Sequence, residues 1–367
     1  MTPPSQDSTP NQSLANALPP KPVPPKKSRR KRNIVVGISL GLALVILIVL
    51  ALFVPMFVKV AESDAFIKIP ANASRQNVRD SVALYLGDSY AEFVMMAATL
   101  LRSDFSNRHG GYLIKEGMNP FSAARQLARG GQEPLTVTLK AIRTLPNLAK
   151  RVAGKLDFTP DSLLNVIKDP ATLEEYGLTP EQAIALFVDD SYDFYWSASP
   201  EEFVDKIGDN YNNVWNHDRK VKAAILGLSP AEVMTLCSIV DEETNKVDEK
   251  GKIGRLYLNR IKKGIPLQAD PTVKYALQDF SLRRIRGNHL KADSPYNTYR
   301  NKGLPPGPIR TTSVTTIDEV LNSQPSEDIY MCAKEDFSGY HNFASTYSEH
   351  QANARRYQQA LNKRGIR

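Results

Sequence analysis

The longest apolar stretch of the chain runs from residue 34 to residue 58 and contains no charged side chain. At 1.5 Å of rise per residue, a helix of this length measures about 37 Å, enough to cross a hydrocarbon core of about 30 Å with some tilt. We therefore predict one transmembrane helix over residues 33–58, with Pro55 near its far end. A cleaved signal peptide is the competing interpretation, but its apolar core usually has only about 7–15 residues.

The residues before this stretch are polar and basic. Residues 1–32 are rich in Pro, Ser, Asn and Lys, which predicts a disordered tail; partner binding through its prolines is the alternative. The run Ser28-Arg-Arg-Lys-Arg32 precedes the apolar stretch, and one lysine and two acids follow it closely. The positive-inside rule then predicts a cytoplasmic N-terminus and places everything after residue 59 outside the cytoplasm.

Short strand and helix patterns alternate beyond the predicted membrane segment. A β-branched segment at residues 66–69 and an apolar helical stretch near residues 91–101 lead into a compact pattern at residues 112–139. That pattern reads as a strand, a short helix starting at Asn119-Pro120, and a second strand. It predicts a β-α-β unit of about thirty residues.

The middle of the chain repeats one helix-start signal, in which a hydroxyl residue directly precedes proline. It predicts successive helices of 10 to 15 residues, and three of the four starts add Gln or Glu at the capping-box position. The aromatic residues of the acidic link at residues 188–196 are expected mainly in the core and only secondarily in a substrate wall. The four starts are Thr159-Pro160, Thr179-Pro180, Ser199-Pro200 and Ser229-Pro230.

The last of these helices ends in three consecutive acids, Asp241, Glu242 and Glu243. Helical geometry points Glu242 away from the apolar stripe and places Asp241 and Glu243 on either side of it, so geometry does not choose between those two. A carboxyl half-buried against an apolar face has a raised pKa, as a general acid near neutrality needs. An ordinary acidic helix end is the structural alternative. The stripe consists of Val233, Leu236, Cys237 and Val240.

The hundred residues after the acidic helix end contain four loops rich in polar and aromatic groups. Tyrosine faces with amide and hydroxyl donors suit sugar rings, and rigid proline turns hold such donors at little entropic cost. Together the loops predict a long groove. They lie at residues 267–273, 293–299, 303–309 and 339–343.

Charge and cysteine content narrow the function classes. The formal net charge is +8, but residues 1–58 carry seven basic side chains and one acid, so only +2 remains for the rest of the chain. This distribution argues against a nucleic-acid partner. Cys237 and Cys332 lie in mainly apolar runs and are expected as small buried thiols rather than a disulfide or ligand pair. No metal-binding, serine-hydrolase or phosphate-loop motif is present, so we expect no metal and no cofactor.

Six motifs, in order over roughly residues 112–350, resemble the MltG (YceG-like) family of endolytic murein transglycosylases. The resemblance implies an α+β protein of the bacterial inner membrane that cleaves nascent peptidoglycan strands. It places a LysM-like region at residues 59–145 and a catalytic domain at residues 146–367. The motifs are Cys237-Ser-Ile-Val-Asp-Glu-Glu-Thr244, Leu256-Tyr-Leu-Asn-Arg260, Gly264-Ile-Pro-Leu-Gln-Ala-Asp-Pro-Thr-Val273, Ser294-Pro-Tyr-Asn-Thr-Tyr299, Gly303-Leu-Pro-Pro-Gly-Pro-Ile309 and His341-Asn-Phe343.

The resemblance also assigns site residues. The family's catalytic glutamate corresponds to Glu243, with Asp241 ranked second. For His341 a core or loop-pinning role is an equal alternative. The chain departs from the family pattern at residues 189–192, which concerns the shape of the groove wall. The residues implied to bind substrate are Asp241, Gln268, Asp270, Thr272, Ser294, Tyr296, Asn297, Tyr299 and His341.

The chemistry implied by the resemblance needs one acid-base residue. Protonated Glu243 donates to the glycosidic oxygen between N-acetylmuramic acid and N-acetylglucosamine; as a carboxylate it then accepts the C6 hydroxyl proton, giving a 1,6-anhydro end that limits strand elongation. A hydrolase using Asp241 or Asp270 as a second carboxylate remains open. So does a non-catalytic peptidoglycan-binding scaffold. The implied partners are glycan strands, the bacterial membrane and cell-wall synthases.

Overall fold

A computed structural model of the protein describes residues 29–103, 105 and 107–365 and divides into two units, Met1–Lys59 and Val60–Arg367. In the first unit, helix α1 spans Arg29–Val58 and continues through Pro55. Its apolar part has a mean hydropathy of 3.1, and it is the one straight helix in the described ranges that is long and apolar enough to cross a membrane. The predicted tail lies, as far as residue 28, outside the described residues.

The second unit begins with two strands and two helices that pack together. Strand β1 (Ala65–Ile69) pairs antiparallel with β2 (Gly110–Ile114), and helices α2 (Arg75–Leu86) and α3 (Asp88–Leu100) connect them. A Cβ atom at Gly111 would lie 2.3 Å from the Phe66 ring, so this pairing requires glycine there. The predicted strand near residue 66 and helix near residue 91 are confirmed.

The predicted β-α-β unit at residues 112–139 is wrong in its pairing, although its elements form. Helix α4 (Pro120–Arg129) and strand β3 (Leu135–Leu139) follow β2, but β3 pairs antiparallel with β4 (Asp190–Phe194) instead of joining the β2 sheet. Cross-strand hydrogen bonds stabilise the β3–β4 pair, from Thr136 to Asp193 at 2.7 Å and between Thr138 and Ser191 at 2.9 Å. Such pairs lie far apart in sequence, so local pattern did not reveal them.

Helices dominate the middle of the second unit. All four hydroxyl-proline starts are confirmed, although the one at Thr179 begins a 3₁₀ helix, and the helices there have 7 to 15 residues. The aromatic residues Tyr192, Phe194 and Trp196 are buried as expected, and Tyr195 is exposed. The elements are α5 (Leu145–Ala153), α6 (Pro160–Ile167), α7 (Pro170–Glu175), a 3₁₀ helix (Pro180–Leu186), α8 (Pro200–Val214) and α9 (His217–Ile225).

Helix α10 (Pro230–Glu243) lies in the core of this unit. The predicted stripe is buried, but so are residues on its other faces, which a one-sided amphipathic pattern does not predict. Two buried hydroxyls on these faces are hydrogen-bonded: Thr235 donates to the Ala231 carbonyl at 2.8 Å and Ser238 to the Thr235 carbonyl at 2.7 Å. Because their polar groups are satisfied, this helix can be buried all round.

The remaining elements surround α10 and continue to the C-terminus. Helix α11 (Val247–Lys262) packs closely against helix α13 (Val314–Leu321): a Cβ atom at Gly251 would lie 2.7 Å from the Glu319 carbonyl oxygen, so glycine permits this contact. With three two-stranded sheets among its helices, the part of the chain that is described has the predicted α+β class. The elements are α11 (Val247–Lys262), α12 (Asp270–Ala276), a 3₁₀ helix (His289–Lys291), α13 (Val314–Leu321), β5 (Tyr330–Ala333) paired with β6 (His341–Ala344), and α14 (Tyr347–Lys363).

Candidate active site

Asp241, the first of the three acids that end α10, belongs to a buried polar network. Its carboxylate oxygens accept hydrogen bonds from Lys250 at 2.6 Å, Thr312 at 2.5 Å and Thr316 at 2.6 Å. Only 9% of the residue is exposed. With its lone pairs used by three donors, Asp241 holds α10 to α11 and α13.

Glu242 points to a different side of the helix, as helical geometry predicts. Its carboxylate accepts hydrogen bonds from Arg143 at 2.9 Å and from Arg310 at 3.2 Å. These charge-assisted bonds tie the end of α10 to the loop before α5.

Glu243 lines a cavity of about 420 Å³. The Tyr257 hydroxyl donates a hydrogen bond of 2.9 Å to Glu243 Oε1. Burial is the main cause that raises the pKa of Glu243, to about 7; the negative charges of Asp270 and Glu242 add to it, while Tyr257 and His341 oppose it. A carboxyl with this pKa is present in both protonation states near neutrality, as an acid-base catalyst requires.

The cavity around Glu243 is formed by α11, the loop before α12, the loop ending at Tyr299, β5 and α14. Asp270 brings a second carboxylate, which accepts a hydrogen bond of 2.6 Å from the Tyr299 hydroxyl. Also on the lining, the Tyr330 ring stacks on the His350 ring, with centroids 5.1 Å apart. The lining residues are Glu243, Leu256, Tyr257, Arg260, Leu267, Gln268, Asp270, Tyr299, Tyr330, Met331, Tyr347 and His350.

Three of the predicted substrate-binding residues lie with Glu243 on the cavity wall: Gln268, Asp270 and Tyr299. Two others, Thr272 and Asn297, have no exposed surface. Thr272 shares a hydrogen bond of 2.8 Å with the Thr298 hydroxyl, and Asn297 donates to the Leu290 and Ala292 carbonyls. The structure thus places these two behind the wall, where they hold its loops.

The other predicted substrate-binding residues lie off the cavity lining. Ser294 and Tyr296 are half-buried, and the Tyr296 ring packs against Tyr275 with centroids 4.7 Å apart. His341 is half-buried and pairs with the buried Glu249, which accepts from its backbone N–H at 2.7 Å and contacts ring Nδ1 at 3.0 Å. His341 still acts on Glu243 electrostatically.

Sequence reasoning missed several lining residues. Tyr257 and Arg260 fall in one of the family-like motifs, but the motif alone indicates no role for them; their i, i+3 spacing on α11 is the signal that places them on one face. The spacing of Tyr347 and His350 is the same on α14. Tyr330 joins them only through tertiary packing, which spacing does not predict.

A second cavity, of about 590 Å³, lies beside β4 and α8. Its acids already have structural partners: Glu202 accepts the Ser199 backbone N–H at 2.8 Å in a capping box, and Asp193 accepts the Thr136 hydroxyl. No cluster of three or more His, Cys, Asp or Glu that could hold a metal ion occurs within the described ranges. The Glu243 cavity is therefore the candidate active site.

Comparison with protein families agrees with this location. The YceG-like family matches residues 67–356, which include the whole Glu243 cavity. The chain belongs to the YceG-like family. Membership covers the two-stranded β1–β2 unit as well as the helical region around α10.

Relatives of this YceG-like chain include the endolytic murein transglycosylase of Bacillus subtilis (strain 168), 34% identical over 137 residues, which are 37% of each chain. The endolytic murein transglycosylase of Streptococcus pneumoniae serotype 2 is 26% identical over 255 residues, 61% of this chain and 46% of the relative. The chain thus spans less than half the length of these relatives.

A solved structure shares the fold. The YceG-like protein of Listeria monocytogenes superposes with a TM-score of 0.53 at 23% identity, covering 80% of this chain and 99% of the other. At this identity the likeness concerns the fold alone.

Proposed function

We propose that the protein is a lytic transglycosylase that cleaves the β-1,4 bond between N-acetylmuramic acid and N-acetylglucosamine in peptidoglycan strands. One observation carries the proposal: Glu243 lies in an open cavity, holds a hydrogen bond from Tyr257, and has its pKa raised to about 7. The names of the relatives supply the substrate class.

In the proposed reaction Glu243 serves first as acid and then as base. Protonated Glu243 gives its proton to the glycosidic oxygen as the C1–O bond breaks towards an oxocarbenium-like state. The resulting carboxylate accepts the C6 hydroxyl proton while that oxygen bonds to C1, so a 1,6-anhydro end forms and no water is consumed. Since the nucleophile is part of the substrate, one carboxyl suffices.

Hydrolysis is the second candidate, and Asp270 is the observation that favours it. Asp270 is the other carboxylate on the cavity lining, whereas Asp241 is committed to its network. A second carboxylate would let the enzyme use water, as ordinary glycosidases do. We rank it below transglycosylation because Asp270 shares its oxygen with the Tyr299 hydroxyl and the relatives bear the transglycosylase name.

The proposal extends to the setting of the enzyme. Helix α1 would anchor the chain by a single pass in the bacterial inner membrane with the N-terminus cytoplasmic, so that residues 59–367 face the cell wall. The unit of β1, α2, α3 and β2 falls within residues 59–145 and would be the LysM-like region. Cell-wall synthases are the proposed protein partners.

The direct test is the Glu243→Gln variant with uncrosslinked peptidoglycan strands. We expect cleavage to fall by at least about 10³-fold, because the amide neither donates nor accepts the transferred proton. Since ionisation of a carboxyl with a raised pKa costs stability as the pH rises through that pKa, we expect this variant to unfold at a higher temperature than wild type at pH 8.

The matched control is Glu242→Gln, the neighbouring carboxyl, which is held by Arg143 and Arg310. It should keep cleavage within about threefold of wild type, because Glu242 does not line the cavity and its charge contributes least to the raised pKa of Glu243. Full cleavage by Glu243→Gln would overturn the assignment, and strand binding without turnover by wild type would favour the scaffold.

A further inference from the structure

The hydrogen bond between Arg260 and Gln268 fixes which way the Gln268 amide faces. Arg260 Nη2 lies 2.6 Å from Gln268 Oε1. A guanidinium can only donate, so the carbonyl end of the amide faces Arg260. The Nε2 end must then face the other way; no described residue accepts a hydrogen bond from it, and Gln268 lines the Glu243 cavity.

Arg260 is itself held so that it can position this amide. It is 7% exposed, and its other nitrogens donate to the Pro266 carbonyl at 2.9 Å and the Ile329 carbonyl at 2.8 Å. No carboxylate pairs with it in the described part of the chain. A buried arginine bonded to two backbone carbonyls keeps one orientation, and it directs the amide to which its third nitrogen is bonded.

The backbone conformation of Gln268 is a second, independent indication that this residue is functional. Its φ is +54°, in the left-handed region that non-glycine residues rarely adopt. Two hydrogen bonds hold this conformation: Gln268 N donates to the Thr298 carbonyl at 3.1 Å and Ala269 N to the Thr298 hydroxyl at 3.1 Å. Strain of this kind persists where the surroundings impose it and is concentrated at functional sites.

We propose that Gln268 Nε2 donates a hydrogen bond to the carbonyl oxygen of an N-acetyl group of the glycan strand, with Arg260 as the residue that positions it. Nε2 can only donate, and among the neutral acceptors of a glycan strand the amide carbonyl is stronger than a hydroxyl or ether oxygen. The carboxylates of Glu243 and Asp270 disfavour an anionic group in the same cavity, which leaves a neutral carbonyl. This inference rests on the proposed substrate class.

The test measures strand binding, so its result does not depend on whether the protein cleaves the strand. Full-length Glu243→Gln protein in detergent is titrated at pH 9, where freed sugar amines are mostly uncharged, with uncrosslinked glycan strands, with chemically de-N-acetylated strands, and with strands that have been re-acetylated as a control. We expect the acetylated and re-acetylated strands to bind about 3- to 10-fold more tightly, the contribution of one neutral hydrogen bond.

Two further substitutions are made in the same Glu243→Gln background. Gln268→Glu keeps an acceptor for Arg260 but has no N–H to donate, so we expect its preference for acetylated strands to vanish or reverse. Gln268→Met removes both contacts and should lose the preference as well. Unfolding temperatures identify any variant that has lost its fold.

The outcomes separate the explanations. If Gln268 only pins Arg260, Gln268→Glu keeps the preference and Gln268→Met alone loses affinity, which would overturn the proposal. Equal binding of both strand types by the Glu243→Gln protein would overturn it too. If the proposed function is wrong, the wild-type protein will not cleave the strands. The affinity ratios can still be measured in that case, so the two failures are distinguishable.

Discussion

Among the three acids at the end of α10, the chemical difference arises from what each carboxylate contacts. Asp241 receives three donors and Glu242 two arginines, whereas Glu243 has one hydroxyl partner and a cavity before it. Burial raises the pKa of Glu243, and the one hydroxyl donor offsets this only in part. Helical spacing alone excludes Glu242 as the acid and leaves Asp241 and Glu243 open. The sequence does not decide between these two, because Thr312 and Thr316, two of the donors to Asp241, lie more than seventy residues away.

The pH dependence of cleavage should follow the Glu243 carboxyl. Because the protonated form starts the reaction and its fraction falls above a pKa of about 7, we expect kcat/KM to fall about tenfold per pH unit in the alkaline range. Tyr257→Phe removes a donor that lowers the Glu243 pKa, so the alkaline limb should move to higher pH. Steady-state rates from pH 6 to pH 9 measure both.

A suitable control for this profile is Tyr192→Phe, a buried tyrosine that bonds to the Val188 carbonyl and does not line the cavity. It should leave the limb in place. An alkaline limb unmoved by Tyr257→Phe would show that the hydroxyl does not act on the ionising group.

At the scale of elements, the ends of helices were predictable and the pairing of strands was not. A hydroxyl cap followed by proline satisfies orphan N–H groups within four residues, so the sequence around Ser199 or Ser229 contains the whole cause. Strand β3 instead pairs with a strand that begins fifty-one residues after its own end at Leu139. The full burial of α10 was also not predictable, because Thr235 and Ser238 give the sequence the pattern of a solvent-exposed polar face.

The Asp241 network joins α10, α11 and α13, so its loss should cost stability rather than chemistry. Asp241→Asn leaves Lys250 buried without its counter-ion, and we expect the free energy of unfolding to fall by about 2–4 kcal/mol. Denaturant unfolding measures this, with cleavage per folded molecule measured alongside.

The comparison variant is Glu327→Gln, which breaks the exposed pair with Lys263 and should cost less than about 1 kcal/mol. Unchanged stability together with abolished cleavage in Asp241→Asn would instead place Asp241 in proton transfer.

At the scale of the whole molecule, the uninterrupted apolar run made the membrane segment the clearest prediction. Helix α1 begins at Arg29, four residues before the predicted start, because the basic residues continue the helix. The groove was predicted as loops, and the loops at Gln268 and Tyr299 do line the cavity. The aromatic residues that β5 and α14 contribute to the cavity were not predictable, because only tertiary packing brings them there.

The separation of the two units leads to a test of anchoring. We expect the full chain to sediment with membranes, and a chain starting at Val60 to stay in the soluble fraction, since α1 supplies the apolar surface. Equal thermal unfolding of the second unit in both forms would confirm that it folds by itself. Membrane association of the shortened chain would show a second anchoring surface.

The most direct test of the proposed function is mass spectrometry of the glycan fragments that the wild-type protein releases from uncrosslinked peptidoglycan. Intramolecular attack by the C6 hydroxyl predicts fragments that end in 1,6-anhydro-N-acetylmuramic acid and that disappear in Glu243→Gln. Fragments with reducing ends, heavier by one water, would contradict transglycosylation and favour a hydrolase, for which Asp270 is the candidate second carboxylate.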